Sequence, residues 1–238
     1  MKNVNDLKVK IFADGADKAG MLDMASKTFI KGLTTNPTLM RKAGIKSYKD
    51  FALDILSEIK QKPISFEVFS DDFNEMERQA LEIASWGENV YVKIPVTNTK
   101  QEPAYDLVDK LSNQGVKLNV TALMTNDQVK KVAERLHTST PSYISVFAGR
   151  VADTGIDPVP QMRAAVNLLK ETPNIELIWA SPRELLNIFQ ADDIGCHIIT
   201  VTNDVLKKLE LVGKNLDQYS LETVQMFYAD AKLAGFNI

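Results

Sequence analysis

Eight short stretches rich in branched and aromatic residues recur along this chain, and helix-like segments separate them. The stretches are residues 9–14, 29–34, 64–68, 90–94, 116–120, 143–147, 175–180 and 197–201. Apolar residues at helical spacing follow several of them, at residues 73–86, 104–111, 129–136, 159–169 and 185–189. Consecutive parallel strands need a crossover connection, usually a helix, so the alternation indicates an α/β fold with a parallel sheet.

Strand and helix alternate eight times without a composition break or a long linker, which is typical of a (β/α)8 TIM barrel. We therefore expect residues 1–238 to form a single barrel domain. Residues 220–234, closed by Gly235, are predicted to form an extra C-terminal helix. An open doubly wound sheet is the alternative, but the sequence has neither the glycine-rich dinucleotide fingerprint nor the P-loop that such folds use.

Helix start signals support this pattern at three places. Asn126-Asp127 and Asn203-Asp204 are each predicted to precede a helix, because their side chains cap helix N-termini well. Pro182 is expected at a first helical position, where its missing N–H costs nothing.

Composition excludes several classes of function. The formal net charge is −3 and no basic stripe occurs, which argues against binding to nucleic acid or to an anionic membrane surface. No apolar run is long enough to span a bilayer, and residues 1–6 do not resemble a signal peptide. Cys196 is the only cysteine, which fits a buried thiol in a reducing, cytoplasmic compartment. His137 and His197 lack metal-ligand spacing, so we expect no metal and no cofactor.

Lys93 lies in the middle of a strand-like stretch of apolar residues. Moving an ammonium out of water costs free energy, so a buried lysine must either be paired or give up its proton. The neutral amine is a nucleophile that forms Schiff bases with carbonyl compounds. A structural ion pair, or a side chain that reaches the end of the strand, is the alternative.

Polar residues mark seven of the eight predicted strand ends, and in a barrel these ends meet at one face. Taken singly, Asp14 and Asn36 suit turns or caps, Thr121 suits a strand, and an arginine suits the surface. Taken together, they indicate one polar site around Lys93. The candidates are Asp14, Thr34, Asn36, Glu67, Lys93, Asn119, Thr121, Ser145, Phe147, Arg150, Ser181 and Arg183.

Five motifs in this order resemble the transaldolases, in particular the shorter branch that includes the fructose 6-phosphate aldolases. They are Gly-Leu-Thr-Thr-Asn-Pro at 32–37, Val-Lys-Ile-Pro-Val-Thr at 92–97, Leu-Asn-Val-Thr at 118–121, Ser-Val-Phe-Ala-Gly-Arg at 145–150 and Ala-Ser-Pro-Arg at 180–183. The resemblance covers nearly the whole chain.

The resemblance implies a role for each matching residue. Lys93 would form the Schiff base, Asp14 would exchange a proton with the hydroxyl beside the breaking bond, and Glu67 would move protons through a water held by Thr121. The dihydroxyacetone unit would be bound by the motif residues Thr34, Asn36, Asn119, Ser145 and Ser181, beside Phe147. Arg150 and Arg183 would bind the phosphate, which suits guanidinium geometry.

The resemblance further implies a transferase of carbohydrate metabolism, in the pentose phosphate pathway. It would move a dihydroxyacetone unit from sedoheptulose 7-phosphate or fructose 6-phosphate to glyceraldehyde 3-phosphate or erythrose 4-phosphate. Glu67 and Phe147 favour transfer, because the aldolase branch tends to have glutamine and tyrosine there. The sequence departs from the family at Gly15, at Pro182 and at residues 98–100.

Two alternatives to the transferase are a cleaving aldolase that releases free dihydroxyacetone and a non-catalytic barrel that binds sugar phosphates. The expected partners are sugar phosphates and further copies of the chain in a homo-oligomer, but no nucleic acid and no membrane.

Overall fold

The computed structural model describes residues 4–237, and its eight strands close into one parallel barrel. The strands are β1 (Lys10–Asp14), β2 (Ile30–Thr34), β3 (Ile64–Glu67), β4 (Val90–Pro95), β5 (Leu118–Leu123), β6 (Ser142–Val146), β7 (Ile175–Trp179) and β8 (Ile198–Thr202). Strand β1 pairs with β8 and closes the barrel. Each predicted stretch overlaps one strand, with ends that differ by up to three residues, so the (β/α)8 prediction is confirmed.

Helices connect the strands and cover the outside of the barrel. They are α1 (Lys18–Ser26), α2 (Pro37–Lys42), α3 (Tyr48–Glu58), α4 (Phe73–Ala84), α5 (Tyr105–Asn113), α6 (Asn126–Ala133), α7 (Ala148–Asp153), α8 (Pro158–Leu168), α9 (Leu186–Asp193), α10 (Asn203–Leu206) and α11 (Leu216–Ala234). Within residues 4–237, no helix is both long enough and apolar enough to cross a membrane.

The C-terminal helix is present, but it begins four residues earlier than the predicted 220. Asn215 caps α11 by accepting from the Gln218 backbone N–H, and Gly235 ends the helix in the left-handed conformation. The prediction at Pro182 is wrong, because α9 begins only at Leu186.

The two predicted caps are also shifted. The N-caps of α6 and α10 are Thr125 and Thr202, so Asn126 and Asn203 are the first helical residues rather than the residues before them. A threonine oxygen can accept from the first helical N–H groups as an asparagine does. Within residues 4–237, the side chain of Thr125 makes that contact with the Gln128 N–H.

Aromatic side chains fill the lumen of the barrel one layer below the predicted site. Tyr91 and Tyr143 stack with their ring centroids 4.0 Å apart, and Phe12 meets Tyr143 edge-on at 5.8 Å. Gly32 on β2 makes room for Phe12, because a Cβ there would lie 2.5 Å from Phe12 Cζ. Since side chains alternate along a strand, the residues two positions after each ring on the same strand also face the lumen, at its carboxyl end.

Candidate active site

A cavity of about 600 Å³ opens at the carboxyl end of the barrel. Its walls come from the ends of the strands and from the loops and short helices that follow them. All of the candidate residues line this cavity, namely Asp14, Thr34, Asn36, Glu67, Lys93, Asn119, Thr121, Ser145, Phe147, Arg150, Ser181 and Arg183. The structure therefore brings the predicted residues together.

Lys93 is buried, and its ammonium group has two partners. Its Nζ lies 3.1 Å from Glu67 Oε2 on the neighbouring strand and donates to the Thr35 carbonyl oxygen at 2.9 Å. Because the register of β3 and β4 places Glu67 opposite Lys93, the two side chains can form this ion pair. A carboxylate beside an amine can accept the proton that the amine must lose before it attacks a carbonyl.

Asp14 ends β1 and lies at the start of a chain of hydroxyls. Thr34 Oγ1 donates to Asp14 Oδ1 at 2.7 Å, and Thr200 Oγ1 lies 2.5 Å from Thr34 Oγ1. Burial raises the pKa of Asp14 above its ordinary value, although the Lys93 charge and the Thr34 hydrogen bond act in the opposite direction. A carboxyl group with a raised pKa in a cavity is suited to general acid–base work.

Three polar side chains form a continuous network across the middle of the barrel. Ser145 Oγ donates to Asn119 Oδ1 at 2.7 Å, and Asn119 Nδ2 donates to Ser65 Oγ at 3.0 Å. All three residues are buried. Their mutual hydrogen bonds fix the Asn119 amide and the Ser145 hydroxyl at the cavity wall.

Thr121 has a different environment from its neighbours. The side chain is 2% exposed, and its Oγ1 makes no hydrogen bond within residues 4–237. The pairing of β5 with β6 shifts register between Val120 and Leu123, and Ala122 takes the left-handed φ of 64°. Bulges of this kind redirect side chains near active sites, and a buried hydroxyl needs a polar partner. The geometry therefore suits a Thr121 that binds a water or a substrate oxygen.

The two arginines differ in their contacts. Arg150 lies on α7 rather than at a strand end, and its guanidinium carbon is 5.6 Å from the centre of the Phe147 ring. Arg150 has no acidic partner within residues 4–237. Arg183 is paired with Asp153, and its Nε also donates to the Gly149 carbonyl oxygen at 3.3 Å.

Asn36 has the structural role that its type suggests, since its Oδ1 accepts from the Leu39 N–H at 3.0 Å and caps α2. Within the described residues its amide nitrogen donates to no group, so a donor remains at the cavity wall. Asn36 can therefore cap α2 with its oxygen and bind a substrate with its amide nitrogen at the same time.

Strand β8 also contributes to the cavity, which sequence reasoning did not predict. Thr200 and Thr202 on this strand line the wall, together with Asp204 on α10. Threonines at alternate positions of the last strand were an available signal, because they share one face. Hydrogen bonding to Thr202 lowers the pKa of Asp204, so this carboxylate stays ionised at neutral pH.

Two further expectations concern the Cys196 thiol and possible metal ligands. Cys196 is a buried thiol, and burial raises its pKa to about 12, which leaves it unreactive at neutral pH. Within residues 4–237, no three His, Cys, Asp or Glu side chains gather into a possible metal site.

Comparison with known proteins gives one family and one fold. A family model described as transaldolase/fructose-6-phosphate aldolase matches residues 11–238. A "Probable transaldolase" of a Thermoanaerobacter species is 33% identical over 97% of this chain and 100% of its own length. Another, from Dehalococcoides mccartyi, is 33% identical over 84% of this chain and 90% of its own.

A crystal structure of a putative copper homeostasis protein, CutC, from Streptococcus agalactiae superimposes with a TM-score of 0.60. The alignment covers 81% of this chain and 97% of that one at 13% identity, and it supports the barrel fold alone.

Proposed function

Because this chain belongs to the transaldolase/fructose-6-phosphate aldolase family, we propose that it is a transaldolase that works through a Schiff base on Lys93. It moves a dihydroxyacetone unit from sedoheptulose 7-phosphate or fructose 6-phosphate to glyceraldehyde 3-phosphate or erythrose 4-phosphate. The observation that carries the proposal is the buried Lys93 amine with Glu67 at 3.1 Å in a cavity also lined by Asp14.

The first half of the reaction follows from these groups. The Lys93 ammonium gives a proton to Glu67, and the free amine attacks the ketose carbonyl. Glu67 returns the proton to the hydroxyl of the adduct, which leaves as water. The protonated imine then withdraws electrons from the neighbouring carbon–carbon bond. Asp14 takes the proton of the adjacent hydroxyl, the bond breaks, and the aldose leaves while a three-carbon enamine remains on Lys93.

The second half reverses these steps on a new aldehyde. The enamine carbon attacks the acceptor, Asp14 returns its proton to the new hydroxyl, and water attacks the imine to free the product and the lysine. Glu67 and a water on Thr121 move the protons of that hydrolysis. Arg150 and Arg183 bind the phosphate at the mouth of the cavity, where charge-assisted contacts favour a dianion.

A cleaving aldolase is the second candidate, because it uses the same imine and differs in the fate of the enamine. The phenyl ring of Phe147, two residues after Ser145, places an apolar group at the cavity wall. An apolar wall limits the water that could protonate the enamine and release dihydroxyacetone. The transferase is therefore favoured. A non-catalytic sugar-phosphate sensor would need no imine-forming lysine.

We also propose that the protein acts in the cytoplasm, in the pentose phosphate pathway, and as a homo-oligomer. These proposals rest on the family resemblance.

Trapping with borohydride tests the chemistry. With fructose 6-phosphate, reduction should add mass to the peptide that contains Lys93, and Lys93→Met should abolish both labelling and transfer. Lys117→Met is the matched control, because Lys117 lies at the opposite end of the barrel and donates to the Glu88 carbonyl oxygen. Labelling of another lysine, with an active Lys93→Met protein, would refute the proposal.

A pair of coupled assays tests transfer against cleavage. Fructose 6-phosphate is supplied with and without erythrose 4-phosphate, and the release of free dihydroxyacetone is measured. Turnover should depend on the acceptor. A wild type that cleaves equally fast without acceptor would be an aldolase.

A further inference from the structure

A single tyrosine hydroxyl holds the backbone of Glu67. Tyr48, the first residue of α3, donates from its hydroxyl to the Glu67 carbonyl oxygen at 2.8 Å. The Tyr48 hydroxyl oxygen in turn accepts a hydrogen bond from the Glu67 N–H at 2.7 Å. One side chain therefore satisfies both backbone polar groups of the residue that pairs with Lys93.

These backbone groups need a partner because β2 leaves the sheet early. Strand β2 pairs with β3 only at Leu33↔Ile64 and Thr34↔Ser65. In a parallel strand, the N–H and C=O of one residue point to the same neighbour, and those of Ser65 and Glu67 face β2. The chain beyond Thr34 turns into α2, so the Tyr48 hydroxyl occupies the place of the missing strand.

Aromatic neighbours fix the position of that hydroxyl. The Tyr48 ring centroid lies 6.3 Å from Phe66, 5.5 Å from Phe69 and 5.9 Å from Trp86. Burial raises the pKa of the Tyr48 phenol above its ordinary value, so the O–H remains a donor over the working pH range. The contact is therefore held by packing on the ring and by two hydrogen bonds at its tip.

We propose that Tyr48 is a positioning residue for catalysis, which sets the end of β3 so that the Glu67 carboxylate stays within reach of Lys93. This role rests on the proposed Schiff-base function. Tyr48 touches no reacting atom itself, since it lies behind β3 and is bonded to the Glu67 backbone.

The substitution Tyr48→Phe removes the hydroxyl and keeps the ring. Proton transfer by Glu67 should then be misaligned, and the rate of imine trapping on Lys93 and the transferase kcat should fall about ten- to a hundredfold. The KM for sugar phosphates should change little, because the arginines are untouched. Tyr105→Phe is the matched control, since Tyr105 is also the first residue of a helix, α5, and its hydroxyl makes no hydrogen bond within residues 4–237.

A double-mutant cycle separates positioning from a general structural role. In a Glu67→Ala background, Tyr48→Phe should add little further loss of kcat, because no carboxylate is left to position. Amide hydrogen exchange at Glu67 gives a second readout that does not depend on activity, and it should accelerate in Tyr48→Phe.

The outcomes are distinguishable. A wild type that traps no adduct on Lys93 would overturn the proposed function, and the role of Tyr48 with it. A wild type that reacts, beside a Tyr48→Phe protein that reacts equally fast, would overturn only the role of Tyr48. Full additivity in the double-mutant cycle would also overturn it, since Tyr48 would then act independently of Glu67.

Discussion

Asp14 shows how burial prepares one residue for chemistry at a cost in stability. An ionised carboxylate that leaves water is destabilised, and the Thr34 hydrogen bond and the Lys93 charge offset this only in part, since the net effect on the Asp14 pKa is upward. The folded protein therefore holds this proton more tightly than the unfolded chain does. The contribution of Asp14 to the free energy of unfolding must decrease as pH rises from the ordinary aspartate pKa through the raised one.

We predict opposite effects of Asp14→Asn on stability and activity. The melting temperature should rise more at pH 7 than at pH 4, because the costly buried anion of the wild type forms only as pH rises towards and through the raised pKa of Asp14. Transfer should fall by about 10²–10⁴ through loss of the base. In the wild type, the apparent pKa of the acidic limb of the kcat–pH profile should lie above the ordinary aspartate pKa.

Thermal unfolding at the two pH values and a pH–rate profile measure these effects. Asp204→Asn is the matched control, because hydrogen bonding lowers the pKa of that cavity carboxylate. It should not stabilise the protein at pH 7. Equal melting temperatures for wild type and Asp14→Asn at both pH values would contradict the prediction.

The two arginines of the cavity, Arg150 and Arg183, give a second prediction for single residues. Of these two, only Arg183 has a carboxylate partner within residues 4–237. Arg150→Ala should raise the KM for phosphorylated donors about ten- to a hundredfold, as expected when a charge-assisted contact of about 1.5–3 kcal/mol is lost. It should leave the free energy of unfolding almost unchanged. Arg183→Ala should raise KM similarly and also lower stability slightly, by at most about 1 kcal/mol for an exposed pair.

Steady-state kinetics with phosphorylated and unphosphorylated donors, together with urea unfolding, test this difference. Arg163→Ala on α8, outside the cavity, serves as the control. If Arg150→Ala impaired both kinds of donor equally, the arginine would not be a phosphate ligand.

At the scale of elements, the sequence predicts which side chains meet at the carboxyl ends of the strands. It does not predict the contacts that hold those strand ends in position. A period of two along each strand and the common direction of parallel strands bring Asp14, Glu67 and Lys93 to one face. The contact of Tyr48 with Glu67 depends on where β2 stops, which no local pattern records. The register shift beside Thr121 likewise depends on the pairing of β5 with β6.

Side-chain hydrogen bonds fix the loop after β4, which contains residues 98–100. Asn98 Oδ1 accepts from the backbone N–H groups of Lys100 and Glu102. Asp71 accepts from both the N–H and the hydroxyl of Thr99. These side-chain hydrogen bonds therefore fix the conformation of the turn.

Gly149 allows helix α7 to lie close to the loop that follows β7. A Cβ at Gly149 would lie 1.6 Å from the Ser181 carbonyl oxygen, and Ser181 itself has the left-handed φ of 59°. We predict that Gly149→Ala pushes the Ser181–Arg183 loop away from α7. Such overpacking should cost about 1–3 kcal/mol of stability. It should also raise the KM for sugar phosphates, because Arg183 moves with the loop.

Gly15→Ala is the matched control, because a Cβ at Gly15 meets no atom within 4 Å although the residue follows Asp14. Urea unfolding and KM measurements on both variants test the prediction. Similar values for Gly149→Ala and the wild type would show that the close approach is unimportant.

At the scale of the whole molecule, α11 is the element that the barrel does not explain. None of its residues is buried. Its exposed apolar side chains are Leu216, Tyr219, Leu221, Val224, Met226, Phe227, Tyr228 and Leu233. Helices draw most of their stability from a packed face, and a surface this apolar marks an interface.

The family resemblance implies a second copy of the chain as the partner of this helix. Helix α11 exposes Phe227 and Tyr228, and the same chain exposes Phe69 (63% exposed) beside Tyr48 and Trp86. Both regions expose apolar surface that packing between two copies would bury. We therefore expect α11 of one copy to pack on the barrel of another, in keeping with the homo-oligomer implied by the family resemblance.

Phe227→Glu tests this assembly, because a buried carboxylate without a partner would weaken the contact by several kcal/mol. Light scattering should give the wild type a mass that is a multiple of the 26.5 kDa chain and give the variant a lower mass. Gln225→Glu adds the same charge to the same helix at a polar position, and it should leave the assembly intact. A wild type that is monomeric at micromolar concentration would refute the prediction, and α11 would then be an exposed helix with no role in assembly.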